Sequence, residues 1–243
     1  MNKPLSDRVV AITGATGGIG SEICLALANK GASLLLLGGT KEDKLIALSK
    51  KINNLSKCTF VAGDLTDKNT ATKGIEVSLK AFGKIDILIN CAGIASNCPF
   101  SEATEDIYNK IMDLNVKAPY FLTQKFLPII EKSDYPTVIN VSSVVGHSGY
   151  PNQSIYSASK HALVGWTKAL ANEVYKKNIR VHLISPGGVY TEMVKITRPD
   201  LTCDGMIMPS DVANVVCFLL ENRTNAVIDE ILLHRVGKEP FLN

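Results

Sequence analysis

Tyr156 and Lys160 lie four residues apart in Tyr-Ser-Ala-Ser-Lys, and Ser143 stands thirteen residues before the tyrosine in Val-Ile-Asn-Val-Ser-Ser. On a helix, positions i and i+4 share one face, so the phenol and the ammonium can reach a common ligand. That arrangement suits acid–base chemistry on a carbonyl. A phenol with its ordinary pKa of ~10 is a poor acid or base at neutral pH, and a neighbouring ammonium stabilises the phenolate and lowers that value. Ser143, placed at a strand end facing the pair, could hydrogen-bond a substrate oxygen. The pair alone also fits a solvated lysine beside a half-buried tyrosine, so the elements that must position it carry the argument.

Val9 to Thr13 is a short apolar run ending in Gly14-Ala-Thr-Gly-Gly-Ile-Gly20, after which Ile23, Cys24 and Leu27 recur at helical spacing until Asn29-Lys-Gly31. A strand, a glycine turn and a helix in that order let the backbone approach a pyrophosphate, whose charge is attracted by the free N–H groups of the helix start. The spacing is Gly-x-x-x-Gly-x-Gly, not the commoner Gly-x-Gly-x-x-Gly, and a close-packed turn is the alternative reading. The second strand, Ser33 to Leu37, ends in Gly38-Gly39-Thr40-Lys41, where NAD-binding sheets usually carry an acid for the ribose hydroxyls. None stands there. Glu42 and Asp43 fit the start of the next helix, with Thr40 as N-cap and Asp43 as its capping-box partner. Lacking a carboxylate that would repel a 2′-phosphate, and offering Thr40 and Lys41 as donors, the site leans toward NADP over NAD. An exposed lysine at a helix start is the plainer alternative.

The alternation continues. Leu45, Leu48 and Ile52 mark a helix; Cys58 to Ala62 a strand ending at Asp64; Ala71, Ile75, Leu79 and Phe82 a helix closed by Gly83; Ile85 to Ile89 a strand ending at Asn90-Cys-Ala-Gly93. Consecutive βα units predict an α/β fold: a Rossmann-type doubly wound sheet of about seven mostly parallel strands with helices on both faces, in a single domain over residues 1–243. Ligands of such sheets bind at the carboxyl ends of the strands, and Gly14, Asp64, Asn90, Gly93, Ser143 and Gly187 all fall at or just past predicted strand ends. Glu105 to Lys132 reads as one long helix containing Pro119 and Pro128. Pro119 frees the carbonyl of Asn115, which could hold a water near the site; the alternative is that Asn115 only marks a kink. Thr137 to Ser142 is the fifth strand, Tyr156 to Lys176 the helix of the pair, Arg180 to Ser185 the sixth strand and Ile228 to Val236 the seventh. Between them, residues 191–209 form a short substrate lid, followed by a helix at Pro209-Ser210-Asp211 with Ser210 as N-cap. Lys195 and Arg198 in that lid could meet an anionic substrate group or simply face solvent.

Composition narrows the function classes. The chain has 243 residues, is 46% apolar and 20% charged, and carries a formal charge of +3 from scattered lysines and arginines, which does not point to nucleic acid or an anionic membrane. No apolar run approaches a membrane span, and Met1 to Arg8 lacks an apolar signal core, so the expected location is the cytoplasm. Cys24, Cys58, Cys91, Cys98, Cys203 and Cys217 occur singly, which fits reduced thiols and no metal site. His147 sits in the loop after Ser143 and either touches substrate or faces solvent. Trp166 is assigned to packing against a helix or a partner subunit.

Together these residues resemble the short-chain dehydrogenase/reductase family in its form of about 250 residues, from about Val9 to Leu220. Thr-Gly-x-x-x-Gly-Ile-Gly is met at Thr13 to Gly20, the acid after strand three at Asp64, Asn-x-Ala-Gly at Asn90 to Gly93, and Pro-Gly-x-Val-x-Thr at Pro186 to Thr191. The catalytic set implied by the resemblance is Asn115, Ser143, Tyr156 and Lys160. Hydride passes between a nicotinamide and a small carbonyl or secondary alcohol, Tyr156 gives or takes the proton, Ser143 steadies the oxygen, Lys160 holds the nicotinamide ribose, and Asn115 anchors a water. The implied cofactor site comprises Thr13, Gly14, Thr16, Gly18, Ile19, Gly20, Gly39, Thr40, Lys41, Asp64, Leu65, Asn90, Ala92, Gly93, Tyr156, Lys160, Pro186, Gly187, Val189 and Thr191. Within it Val189 and Thr191 orient the carboxamide, and Asp64 and Asn90 settle the adenine and ribose sides.

The chain departs from the family pattern at Cys91, where the second Asn of Asn-Asn-Ala-Gly is usual, and at Gly39, where many NADP-dependent relatives have Arg. It also lacks the glycine-rich ending of reductases of carrier-bound 3-oxoacyl groups, and looks more like the NADP-dependent subgroup acting on small hydroxy acids, hydroxyamino acids and general carbonyls. A 3-oxoacyl-carrier reductase, a non-catalytic cofactor sensor or scaffold, and a non-redox enzyme of the same fold are the alternatives. Relatives imply a homodimer or homotetramer built on the two long helices.

Overall fold

The computed structural model describes residues 3–197 and 202–238. Seven strands form one parallel sheet: β1 (Val9–Thr13), β2 (Ser33–Gly38), β3 (Cys58–Ala62), β4 (Ile87–Asn90), β5 (Thr137–Val141), β6 (Arg180–Pro186) and β7 (Glu230–Leu233), in the spatial order β3-β2-β1-β4-β5-β6-β7. The helices are α1 (Gly18–Asn29), α2 (Glu42–Asn53), α3 (Lys68–Phe82), α4 (Glu105–Met112), α5 (Ala118–Ile130), α6 (Ser154–Val174), α7 (Glu192–Thr197) and α8 (Pro209–Glu221). Strands covered on both faces read as continuous apolar runs, because neither side meets water. Leu34 and Leu36 pack in one layer with Ile12, Ile23, Leu45 and Val216; Leu35 and Leu37 pack in the other with Ala11, Phe126 and Ile130. One unbroken leucine run thus feeds two cores. No helix among the described residues is long and apolar enough to cross a membrane.

The chain winds outward from β1 to β3, returns, and resumes at β4 on the other side of β1. Crossovers leaving β1 and β4 therefore diverge, and a crevice opens at their carboxyl ends. Thr13 Oγ1 closes the floor of that crevice by accepting the Cys91 and Ala92 N–H groups at 3.1 and 3.2 Å.

Local chemistry departs from expectation at several helix ends. α2 starts at Glu42 with Lys41 in the N-cap position, because Lys44 N donates to Lys41 O at 3.2 Å. Thr40 is thus one residue outside the helix, where its hydroxyl cannot reach the first turn, and neither Thr40 nor Asp43 caps it. Pro209 takes the first position of α8, where a proline loses no hydrogen bond, so the cap moves back to Met208 and Ser210 lies inside the helix. Asp211 Oδ2 accepts Met208 N at 2.8 Å in its place. The expected single helix from Glu105 to Lys132 is α4 and α5 joined by a π turn over Asp113–Lys117, and it ends at Ile130. Ala118 N donates to Asp113 O, five residues back, at the point where Pro119 withdraws a donor. The seventh strand covers only Glu230–Leu233, and the pair's helix begins at Ser154, with a 3₁₀ turn from Tyr175 to Lys177 after it.

At the opposite, amino-terminal edge, a buried carboxylate ties three strands. Asp86 Oδ2 accepts Val9 N at 2.7 Å and pairs with Lys84 Nζ at 2.9 Å, while Oδ1 accepts the Ser133 hydroxyl. Its backbone donates to Val9 O and accepts from Thr137 N. Asp86→Ala strands these donors in the interior. It is expected to lower unfolding free energy by about 2–4 kcal/mol, read as a reduced urea midpoint with cofactor affinity retained.

Candidate active site

The turn after β1 is shaped by what it must touch. Gly14 adopts φ +65°, and a Cβ there would lie 2.8 Å from Ala92 Cα, so only glycine lets this turn rest on the end of β4. A Cβ on Gly20 would lie 2.2 Å from Gly14 O, and one on Gly18 2.8 Å from Thr191 Cγ2. Helix α1 follows with Gly17 as N-cap and no side-chain cap bond. Its first-turn N–H groups lack intrahelical partners, and together with the helix dipole they form a site for an anion. These are the properties a dinucleotide pyrophosphate requires, and Thr16 and Ile19 lie half-buried around the same turn.

Beyond β2, Gly39, Thr40 and Lys41 are exposed, and the space around Gly39 is open. No side chain there blocks a 2′-phosphate. Asp64 is exposed after β3, with Oδ1 accepting the Thr66 N–H and hydroxyl at 2.9 and 2.8 Å. Leu65 packs against the second core. Asn90 is 3% exposed and its Nδ2 donates to Thr123 and Asn140, so its side chain faces inward and only its backbone lies at the crevice.

Tyr156 is the third residue of α6, reached through Asn152 at φ 62°, a left-handed conformation that asparagine tolerates. Lys160 follows one turn later on the same face and is 4% exposed; its Nζ donates to Val141 O at 3.1 Å and lies 5.8 Å from the Tyr156 ring centroid. Gly93 brings the end of β4 beside them: a Cβ there would sit 3.3 Å from Asn115 Oδ1 and 3.6 Å from Lys160 Nζ. Burial pushes the Lys160 ammonium down to about 8, with Cys91 opposing. Burial likewise pushes the Tyr156 phenol up to about 12, and its hydrogen bond with Ser143 pulls the other way. The sequence-based expectation that Lys160 depresses the tyrosine is thus not met here: the ammonium is turned to a backbone carbonyl, and loss of water outweighs any attraction.

Asn115 stands in the π turn, and its side chain clamps the loop after β4. Oδ1 accepts Ile94 N at 2.9 Å, while Nδ2 donates to Ile94 O at 2.8 Å and to Ser159 Oγ at 3.1 Å. Both Nδ2 hydrogens and one Oδ1 lone pair are thereby engaged. The kink expected at this position is present as the π turn.

A cleft of about 390 Å³ opens over these residues, walled by Ser143 and Tyr156 on one side, Pro186, Gly187, Val189 and Thr191 on another, and Met193 and Met206 at the lid. A short bridge from Val189 to Ile207, with Tyr190 N donating to Ile207 O at 2.8 Å, pins the two ends of the lid together. Lys195 is spoken for, since Nζ pairs with Glu192 at 2.6 Å, and Arg198 lies outside the described residues. His147 is neither free nor solvent-facing alone: it lines the cleft and its Nε2 meets Glu230 Oε1 at 2.6 Å.

Sequence reasoning missed a buried polar chain that fixes α6 to the sheet. Asn140 Nδ2 donates to Thr167 Oγ1 at 2.8 Å, and Asn140 Oδ1 accepts Asn90 Nδ2 at 2.8 Å. Asparagine in the middle of apolar β5 was the available signal. It also missed Arg235 and Lys238, which reach the cleft from beyond β7 and carry no local pattern. Among the described residues no group of three His, Cys, Asp or Glu could hold a metal ion.

The profile of the short chain dehydrogenase family matches residues 8–202. The chain is 32% identical to a short-chain dehydrogenase/reductase, FrzI, of Cladobotryum sp. over 91% of its length and 92% of that protein. It is 31% identical to the 3-oxoacyl-[acyl-carrier-protein] reductase FabG of Thermotoga maritima over 94% and 96% of the two chains. Among solved structures, a short chain dehydrogenase of Shigella flexneri complexed with NADP is 29% identical with TM-score 0.86, covering 96% of this chain and 98% of that one. One from Mycobacterium paratuberculosis bound to NAD is 25% identical with TM-score 0.86, covering 95% and 97%. With its parallel seven-stranded sheet, its glycine turn and its Ser143, Tyr156 and Lys160 gathered at the strand ends, the chain belongs to the short-chain dehydrogenase/reductase family of nicotinamide-dependent oxidoreductases acting on CH–OH and carbonyl groups.

Proposed function

We propose that this protein, acting in the cytoplasm, reduces a small carbonyl compound, or oxidises the matching secondary alcohol, with NADP(H). The observation that carries the reading is the convergence of Ser143 and Tyr156 on one wall of the cleft, above buried Lys160 and beside the glycine turn. When bound, the nicotinamide donates or accepts the hydride. Ser143 and Tyr156 hydrogen-bond the substrate oxygen. Tyr156, a phenol that is protonated at neutral pH, gives that oxygen a proton during reduction. Lys160 binds the nicotinamide ribose and is the charge nearest the tyrosine from which a proton can be resupplied. Asn115 keeps the floor rigid through Ile94 and Ser159. The 3-oxoacyl-carrier reductase reading is the alternative and draws support from the FabG likeness.

NADP is preferred in this reading because Thr40 and Lys41 stand open beside Gly39 where no acid would repel a 2′-phosphate. Exposed Tyr120 and Phe121 on α5, with Tyr120 edge-on to Trp166 of α6 at 5.7 Å, offer an apolar face for the homodimer or homotetramer that the reading includes.

Three outcomes follow from this reading. Fluorescence titration should show NADPH binding more tightly than NADH, and Lys41→Ala should weaken NADPH about 3–10-fold while leaving NADH unchanged. An NADH preference in the native protein would discard the 2′-phosphate argument. Tyr156→Phe should lower kcat by about 10²–10⁴-fold with NADPH affinity retained, and full turnover by that variant would end the mechanism. Lys160 is charged below about pH 8 and neutral above it, so kcat/KM for reduction should fall as pH rises through about 8. A flat profile to pH 10 would show that the ammonium is not needed.

A further inference from the structure

The reaction fixes the carbonyl end of a substrate against Ser143 and Tyr156 and leaves its other end to the far walls of the cleft. Among the described residues those walls hold no Asp or Glu, but they hold His147, His234, Arg235 and Lys238. These basic side chains differ in whether they are already matched. His147 is paired with Glu230 and also lies 3.2 Å from Ser185 Oγ. Arg235 and Lys238 have no carboxylate partner among the described residues. Among the described residues the side-chain hydrogen bond of Arg235 runs from Nη1 to Met206 Sδ at 3.2 Å, and a thioether is a weak acceptor.

The position of Arg235 is fixed by the backbone. Gly187 N donates to Leu233 O at 2.8 Å, which lays the chain after β7 along the Pro186–Val189 loop. The arginine lies against Gly188: a Cβ built there would stand at van der Waals distance from it, 3.5 Å from Arg235 Cδ and 3.7 Å from Nε. The arginine stem therefore rests on this loop, half-buried, with its fork at the cleft. Lys238 N donates to Arg235 O at 2.9 Å, and this turn carries the lysine onto the same rim. A partly desolvated guanidinium without a counter-charge is unfavourable, and a planar carboxylate or a phosphate matches its donors two at a time.

We propose that Arg235, assisted by Lys238, is an anion subsite that holds the distal carboxylate or phosphate of a small oxo compound whose carbonyl lies against Ser143 and Tyr156. The proposal rests on the hydride-transfer reading above and names its substrate class. Lys195 of the lid is already paired with Glu192.

The test compares each anion with its neutral counterpart under NADPH: acetoacetate and levulinate against their methyl esters, and dihydroxyacetone phosphate against dihydroxyacetone. The expected result is a kcat/KM at least about 10-fold higher for an anion than for its counterpart, with the carboxylate and phosphate arms telling the two sources apart. Arg235→Met should bring that ratio close to one, and Lys238→Met should lower it by a smaller factor. Equal use of anion and counterpart by the native enzyme, or a ratio that survives Arg235→Met, overturns the subsite. The same pairs are titrated calorimetrically into the NADPH-saturated Tyr156→Phe protein, with and without Arg235→Met. Arg235-dependent anion binding there, with no carbonyl turned over by the native enzyme, supports the subsite and rejects hydride transfer; absence of selective binding rejects the subsite whatever the turnover.

Discussion

Everything at the site depends on how closely the backbone turn after β1 can approach the end of β4. Gly14 rests on Ala92, Thr13 binds the Cys91 and Ala92 amides, and Gly20 lies against the Gly14 carbonyl. A side chain at either glycine would prise the turn away from β4 and tilt α1, whose uncapped amides form the anion cradle. The same contact holds Ala92 and Gly93 in place, and Gly93 is what lies beside Asn115 and Lys160. The proposed cofactor cradle and the proposed proton-transfer residues are therefore set by one piece of backbone packing.

Polar pins hold the remaining freedom of the layers. Purely apolar contacts between a helix and a sheet are non-directional, so they leave α6 free to slide by fractions of a turn. The Asn90–Asn140–Thr167 chain removes that freedom near the middle of α6, and Asn115 removes it nearer the start through Ser159. At the other edge Asp86 joins β1, β4 and β5. Hydrogen bonds are directional, so each of these buried contacts is a register mark.

The electrostatics of the pair show burial prevailing over attraction. Tyr156 and Lys160 are both moved toward their neutral forms, upward for the phenol and downward for the ammonium. An enzyme that donates a proton during reduction is served by a tyrosine that keeps its proton. The lysine, near its midpoint at mildly alkaline pH, is then the group whose charge is sensitive to its surroundings.

The linear chain was sufficient for the alternation of strands and helices, for the glycine turn, for the absence of an acid after β2 and for the Ser143, Tyr156 and Lys160 set, because each is written in local periodicity or in a short spacing. Strand limits followed closely for β1 and β3, where apolar runs stop at sharp turn residues. Helix starts were less legible, since Thr40 and Ser210 are good caps by type and the choice of cap depended on where the first backbone bond closed. The π turn at Asp113–Lys117 could be sensed only as a misplaced proline. What the sequence could not contain was any relation between distant segments: that Asn90 turns inward to Asn140, that His147 meets Glu230, and that Arg235 reaches the cleft because the Gly187 amide ties the end of β7 to the loop after β6. Local pattern determined the elements and the chemistry they carry; the packing of one parallel sheet decided which charges are buried, which are paired and which remain open to a ligand, because burial and pairing are properties of neighbours in space.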